Sequence, residues 1–149
     1  MKNSKLLTLL LASMITAIGS SANAEVGYID YARVLDNYSV AQQAVKELDA
    51  KGLELQQYML EKEKQYKNLN TPLQKQNFES QTSNELKSKQ DSLMKMQQDK
   101  EAQILSKVQT AARAVMVANH LDAILADQVV FVGGIDVTDQ VIQKLKTQP

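Results

Sequence analysis

The sequence predicts an α+β protein: a small β body, completed in an oligomer as a shared barrel, carrying one long antiparallel α-helical coiled-coil hairpin arm. Three observations carry this reading. Short apolar runs of strand character lie only near the two ends. The middle of the chain is almost free of helix breakers and keeps a 3-4 spacing of apolar residues. The end segments are too small to hold a core unaided.

Export comes first in chain order. Lys2 and Lys5 precede an apolar stretch from Leu6 to Ile18, and Ala22-Asn23-Ala24 closes it. A basic start, a short apolar stretch and an A-x-A end predict a cleaved signal peptide over residues 1–24. The stretch is shorter than the roughly 20 residues that span a bilayer. Residues 25–149 then form the mature chain. Of 17 basic and 17 acidic residues, two lysines leave with the signal, and the product carries −2. It lies outside the cytoplasm, so an ATP-driven mechanism is not expected.

The first strand is Val26–Asp30, reading Val-Gly-Tyr-Ile-Asp. A helix is expected from Val34 to Leu69. Its seam is Val34, Tyr38, Ala41, Val45, Leu48, Gly52, Leu55, Met59, Lys62, Tyr66 and Leu69. These steps follow a heptad, with Gly52 and Lys62 as weak points. Asn70-Thr71-Pro72 interrupts it. Pro suits a first helical turn and Thr is a good N-cap, so a second helix starts here and runs to about Asn119. A short link between long helices makes an antiparallel hairpin with its tip near residues 70–72. The second seam is Leu86, Gln90, Leu93, Gln97, Lys100, Ile104, Val108, Ala111, Val115 and Ala118, with a stutter at Val108. It is apolar near the root and poorer toward Pro72.

Two further strands are expected, Asp122–Ala126 and Val129–Val132, followed by a turn at Gly133-Gly134. Thr138 or Asp136 caps a final helix, Asp139–Lys146, with Val141, Ile142 and Leu145 on its apolar face. The body segments 25–33 and 120–149 fall just short of the roughly 40 residues below which a lone core needs disulfides, metal or association. The arm takes residues 34–119. Without Cys, association is the remaining device.

Composition also excludes chemistry. Zero Cys removes disulfides, thiolate ligands and a cysteine nucleophile, and one His removes the usual multi-His metal site. Balanced charge argues against nucleic acid. Asp30 with Asp136 makes a poor acid pair, because strand and helix ends commonly carry acids. Ser39 has no triad, and Gly133-Gly134 lacks a phosphate-loop Lys. His120 reads as a helix-end residue. Lys87, Lys89 and Lys95 are interleaved with Glu85, Asp91 and Asp99, which suits a solvated face better than lipid binding. No catalytic residue, cofactor or metal site is expected.

The order of elements, with Val26–Leu35 and Asp136–Leu145 as its specific parts, resembles the OmpH/Skp family of periplasmic chaperones. The resemblance covers nearly the whole mature chain. It implies a homotrimer, a shared β-barrel body, and helical tentacles that enclose unfolded outer-membrane proteins without ATP or cofactor. It also implies weak contact with lipid or lipopolysaccharide. The near-neutral arm departs from the markedly basic character of the family's best-known member. Tyr58, Met59, Tyr66, Phe78, Met94 and Met96 are the expected client-binding residues of the arm. Val26, Tyr28, Ile29, Val34, Leu35, Val115, Ile124, Val130, Val132 and Val141 are expected in the oligomerisation body. The other reading is a structural coiled-coil adaptor of the cell envelope with one folded partner.

Overall fold

A computed structural model describes residues 24–147. The expected signal peptide lies, but for Ala24, outside the described residues. Strand β1 (Val26–Ile29) leads into helix α1 (Tyr31–Asp36), α2 (Ser39–Lys67) and α3 (Pro72–Ala118). Then follow β2 (Ala123–Ala126), a 3-10 turn (Asp127–Val129), β3 (Ile135–Asp136) and α4 (Thr138–Thr147). At 1.5 Å per residue, the 47 residues of α3 extend roughly 70 Å.

The three strands form one sheet in the order β2-β1-β3, with both pairings parallel. Val26 lies opposite Ala123, and Gly27 opposite Ile135. Parallel neighbours need a long crossover; between β1 and β2 that crossover is the whole arm. Gly27 is required by close approach. A Cβ there would stand 2.7 Å from Leu121 Cδ1.

Two expectations change. The single first helix is broken at Asn37-Tyr38. Asp30 caps α1 by accepting from Arg33 N at 2.8 Å, so α1 starts before Val34. Asn37 ends it, with Nδ2 donating to the Arg33 carbonyl, and Tyr38 turns into the core with extended backbone. The run Val129–Val132 is not a strand. The sheet place beside β1 is taken by Ile135–Asp136, and the apolar run lies outside as a 3-10 turn and irregular chain. Gly133 and Gly134, at φ 85° and 87°, make the turn that brings β3 back to β1.

The core is Ile29, Val34, Tyr38, Ala41, Val108, Ala111, Val115, Leu121, Val137, Val141, Ile142 and Leu145. It draws on the root of the arm as well as on the end segments. The size estimate from the end segments alone therefore understated what one chain can bury.

The helix ends follow capping chemistry. Thr71 and Gln74 form a reciprocal capping box, with Pro72 in the first turn of α3. At the other end of α3, His120 adopts φ 55°. Leu121 N donates to the Met116 carbonyl at 2.9 Å and His120 N to the Val117 carbonyl, a Schellman closure made without glycine.

Candidate functional site: a clasped arm and an apolar body face

The arm's two sides differ. Val45, Gly52, Met59 and Tyr66 recur every seven residues along one flank of the α2 seam. At the root this flank borders an open groove of about 1040 Å³, whose walls include Leu35, Val45, Leu48, Ile104 and Leu105. Further out it borders a second hollow of about 430 Å³, with Met59, Phe78 and Leu86. The opposite flank is polar, with Lys51, Glu54, Lys89 and Ser92 around Leu55 and Met96, then Lys95, Asp99 and Gln103.

The predicted arm residues separate into two groups. Met59 and Met94 are exposed, at 50% and 58%. Tyr58, Tyr66, Phe78 and Met96 are half-buried on the inter-helix face. Tyr58, expected off the seam, lies in it, while Val45, Met59, Gln90 and Gln97 fall outside. The inward residues Ala41, Ala44, Leu48, Leu55, Tyr58 and Lys62 keep a heptad spacing, with Ala44 and Tyr58 three residues after Ala41 and Leu55 where the expected seam took the fourth, Val45 and Met59.

Lys62 is the hub of the outer arm. Its ammonium pairs with Glu85 at 3.0 Å and sits 5.1 Å from the Tyr58 ring and 5.4 Å from the Phe78 ring. Tyr58 donates its hydroxyl to Glu85, and the Lys89 ammonium lies 4.8 Å from the centre of the same ring. Hydrogen bonds from Tyr58, Gln81 and Lys62 hold the Glu85 carboxyl down at about 2. Glu85 in return raises Lys62. Burial, and then the Glu85 hydrogen bond, raise the Tyr58 phenol. Beyond this hub Tyr66 donates to Glu79 at 2.5 Å and tilts against Phe78, with ring centroids 6.2 Å apart. The seam's apolar periodicity marked Lys62 as a defect. Only its i+j relation to Glu85 across the hairpin would have revealed the pair.

The body shows an uncovered apolar face. Phe131 is fully exposed, Val132 is 87% exposed and Val129 70%, with Leu125 and Ile135 nearby in sequence and partly open. Of the predicted body residues, Ile29, Val34, Val115 and Val141 are buried in the chain's own core. Val26, Tyr28, Leu35, Ile124 and Val130 are partly exposed, and Val132 is open. Strands β2 and β3 are both sheet edges.

The acids serve structure. Asp30 caps α1, and Asp136 Oδ1 accepts from Thr138 N at 2.9 Å and from its hydroxyl, which lowers the Asp136 carboxyl. Lys95 pairs with Asp99. Among the described residues no group of acids and histidines is placed to hold a metal, and no helix is long and apolar enough to cross a membrane.

Among curated proteins nothing matches the chain. The family model described as outer membrane protein (OmpH-like) matches residues 25–145, from the start of β1's approach to the last buried residue of α4. Sheet, hairpin arm and closing helix all fall inside that match, and the chain belongs to the OmpH-like family.

Proposed function

We propose that this chain is an ATP-independent periplasmic holdase. It binds unfolded outer-membrane proteins and limits their aggregation on the way to the outer membrane. Membership in a chaperone family supports the class. The observation that carries the reading is the two-sided arm. One flank presents Val45, Leu48, Met59 and Leu105 beside open grooves, without a deep polar pocket that would select one ligand. Unfolded segments of varied sequence exchange water for such a surface at about 25 cal/mol per Å² of apolar area, in many small contacts. Methionine adapts to irregular partners. The arm's near-neutral charge favours this apolar contact over electrostatic capture, and contact with lipid or lipopolysaccharide is correspondingly weak.

The body face serves assembly. Phe131, Val132 and Val129 leave an apolar surface that a soluble chain covers with a partner. Association as a homotrimer also covers the open edges of β2 and β3, and fixes three arms around one cavity. Export by a cleaved signal peptide places the assembly in the periplasm. Light scattering tests the reading: mature chain in several-fold excess suppresses aggregation of a refolding outer-membrane protein. Unchanged aggregation overturns it. A structural adaptor would instead retain one folded partner in stoichiometric amount from a periplasmic extract.

A further inference from the structure

Among the described residues, none from Val45 to Lys107 is buried. The fully buried arm positions, Ala41, Ala44, Val108, Ala111 and Val115, all belong to the root. Beyond them the helices touch through a half-covered seam of Leu48, Gly52, Leu55, Leu86, Leu93 and Met96. Beside this seam and the Tyr66–Phe78 ring contact, two ion pairs cross the span. Glu47 accepts from Lys100 at 2.5 Å, and Lys62 pairs with Glu85 at 3.0 Å. The two bridges are separated by the same 15-residue step on both helices (62 − 47 and 100 − 85). Their polarity is reversed: the acid stands on α2 in the inner bridge and on α3 in the outer. The lysine side chains are the more covered partners, at 30% and 20% exposure.

We infer that these two matched ionic clasps act together with the half-covered apolar seam to hold the arm's two helices in register beyond the root. Arm cohesion therefore has an ionic part that the body core lacks, and ionic strength modulates it. The Lys62 clasp is the stronger, because its ammonium also lies over two aromatic rings while Tyr58 shares its carboxylate. Shifting α3 by one heptad toward the root would set Glu47 against Leu93 and Lys62 against Phe78. The clasps thus favour the observed register and disfavour that slip, as polar residues at seam positions do in coiled coils.

Salt gives opposite signs for the two possible kinds of cohesion. Apolar contact is undiminished by sodium chloride, whereas partly exposed ion pairs are screened. The test is hydrogen exchange of the full mature chain at about 50 mM and about 1 M sodium chloride. Arm peptides covering 53–66 and 78–93 are read as a ratio to body peptides covering 137–147. The expected result is exchange about fivefold faster in the arm at high salt, with the body unchanged. In Lys62→Gln/Lys100→Gln the arm exchanges faster already at low salt and no longer responds to it. Salt-independent exchange of the unaltered arm overturns the inference, and that arm of the experiment needs no variant to fold. An unchanged salt response in the double variant overturns it equally.

Discussion

Single side chains here decide conformation by small margins, and three of them predict measurable effects. Gly27 sits where β1 passes under Leu121, so Gly27→Ala forces that leucine or the strand to move. Overpacking of this kind costs about 1–3 kcal/mol, read as a lower midpoint in denaturant unfolding. Gly52 is the opposite case. A Cβ there meets nothing within 4 Å inside α2, and Gly52→Ala should raise helix stability by roughly 0.5–1 kcal/mol. His120 holds a left-handed conformation that glycine adopts freely, so His120→Gly is tolerated while His120→Val is destabilising in the same assay. The pH dependence of the Lys62 clasp follows from Glu85. Its carboxyl titrates near 2 in the folded arm, below the ordinary value of about 4.5. A lowered carboxyl contributes fully above the unfolded value and loses its contribution as pH falls toward the folded one. The outer arm should therefore keep its hydrogen-exchange protection at pH 5 and lose the Glu85 contribution between about 4.5 and 2.

At the scale of elements, the hairpin and the ends obey different rules. The start of α3 was readable because Thr71 and Pro72 are local signals, and the structure adds Gln74, whose capping partner lies three residues away. Thr71→Ala should cost about 1 kcal/mol, seen as faster exchange confined to the tip. The closing helix α4 was equally plain from Val141, Ile142 and Leu145. The Val129–Val132 run misled for a physical reason. Apolar character marks a segment that seeks cover, but not whether a strand or a second chain provides it. Phe131 illustrates the point: it lies in the expected strand and stands fully exposed. The seam was legible in outline only. Heptad counting located Ala41, Leu48, Leu55 and Lys62, yet missed Ala44 and Tyr58, because a seven-residue repeat alone does not say whether the alternate inward position lies three or four residues on. Lys62 was seen as a flaw, since its partner is distant in sequence and polar pairing leaves no periodic mark.

The whole molecule separates a buried core from an exposed apolar face. Val34, Val115 and Val141 were expected in the oligomerisation body, and all three are buried within one chain. Val34→Asp places an unpaired charge in that core and should unfold the chain, visible as lost far-ultraviolet circular dichroism. Phe131→Ser with Val132→Ser changes only exposed positions. We propose that it leaves the helical signal intact and reduces the mass measured by light scattering from trimer toward monomer. If both variants lose helix alike, the division between core and assembly face is wrong.

The central place of β1 also sets a timetable. Its pairing partners begin at Asp122, whose carboxylate binds Glu25 N across 97 residues of sequence. A chain emerging amino end first presents this strand at the outset and then has nothing to pair it with. The arm's two helices, each built of near-neighbour hydrogen bonds, can form while the sheet waits. Only when the last thirty or so residues arrive can β2 and β3 close on either side of β1. The apolar face at Phe131 therefore becomes available last, and in the assembly we propose, chains meet through it only once each arm is complete.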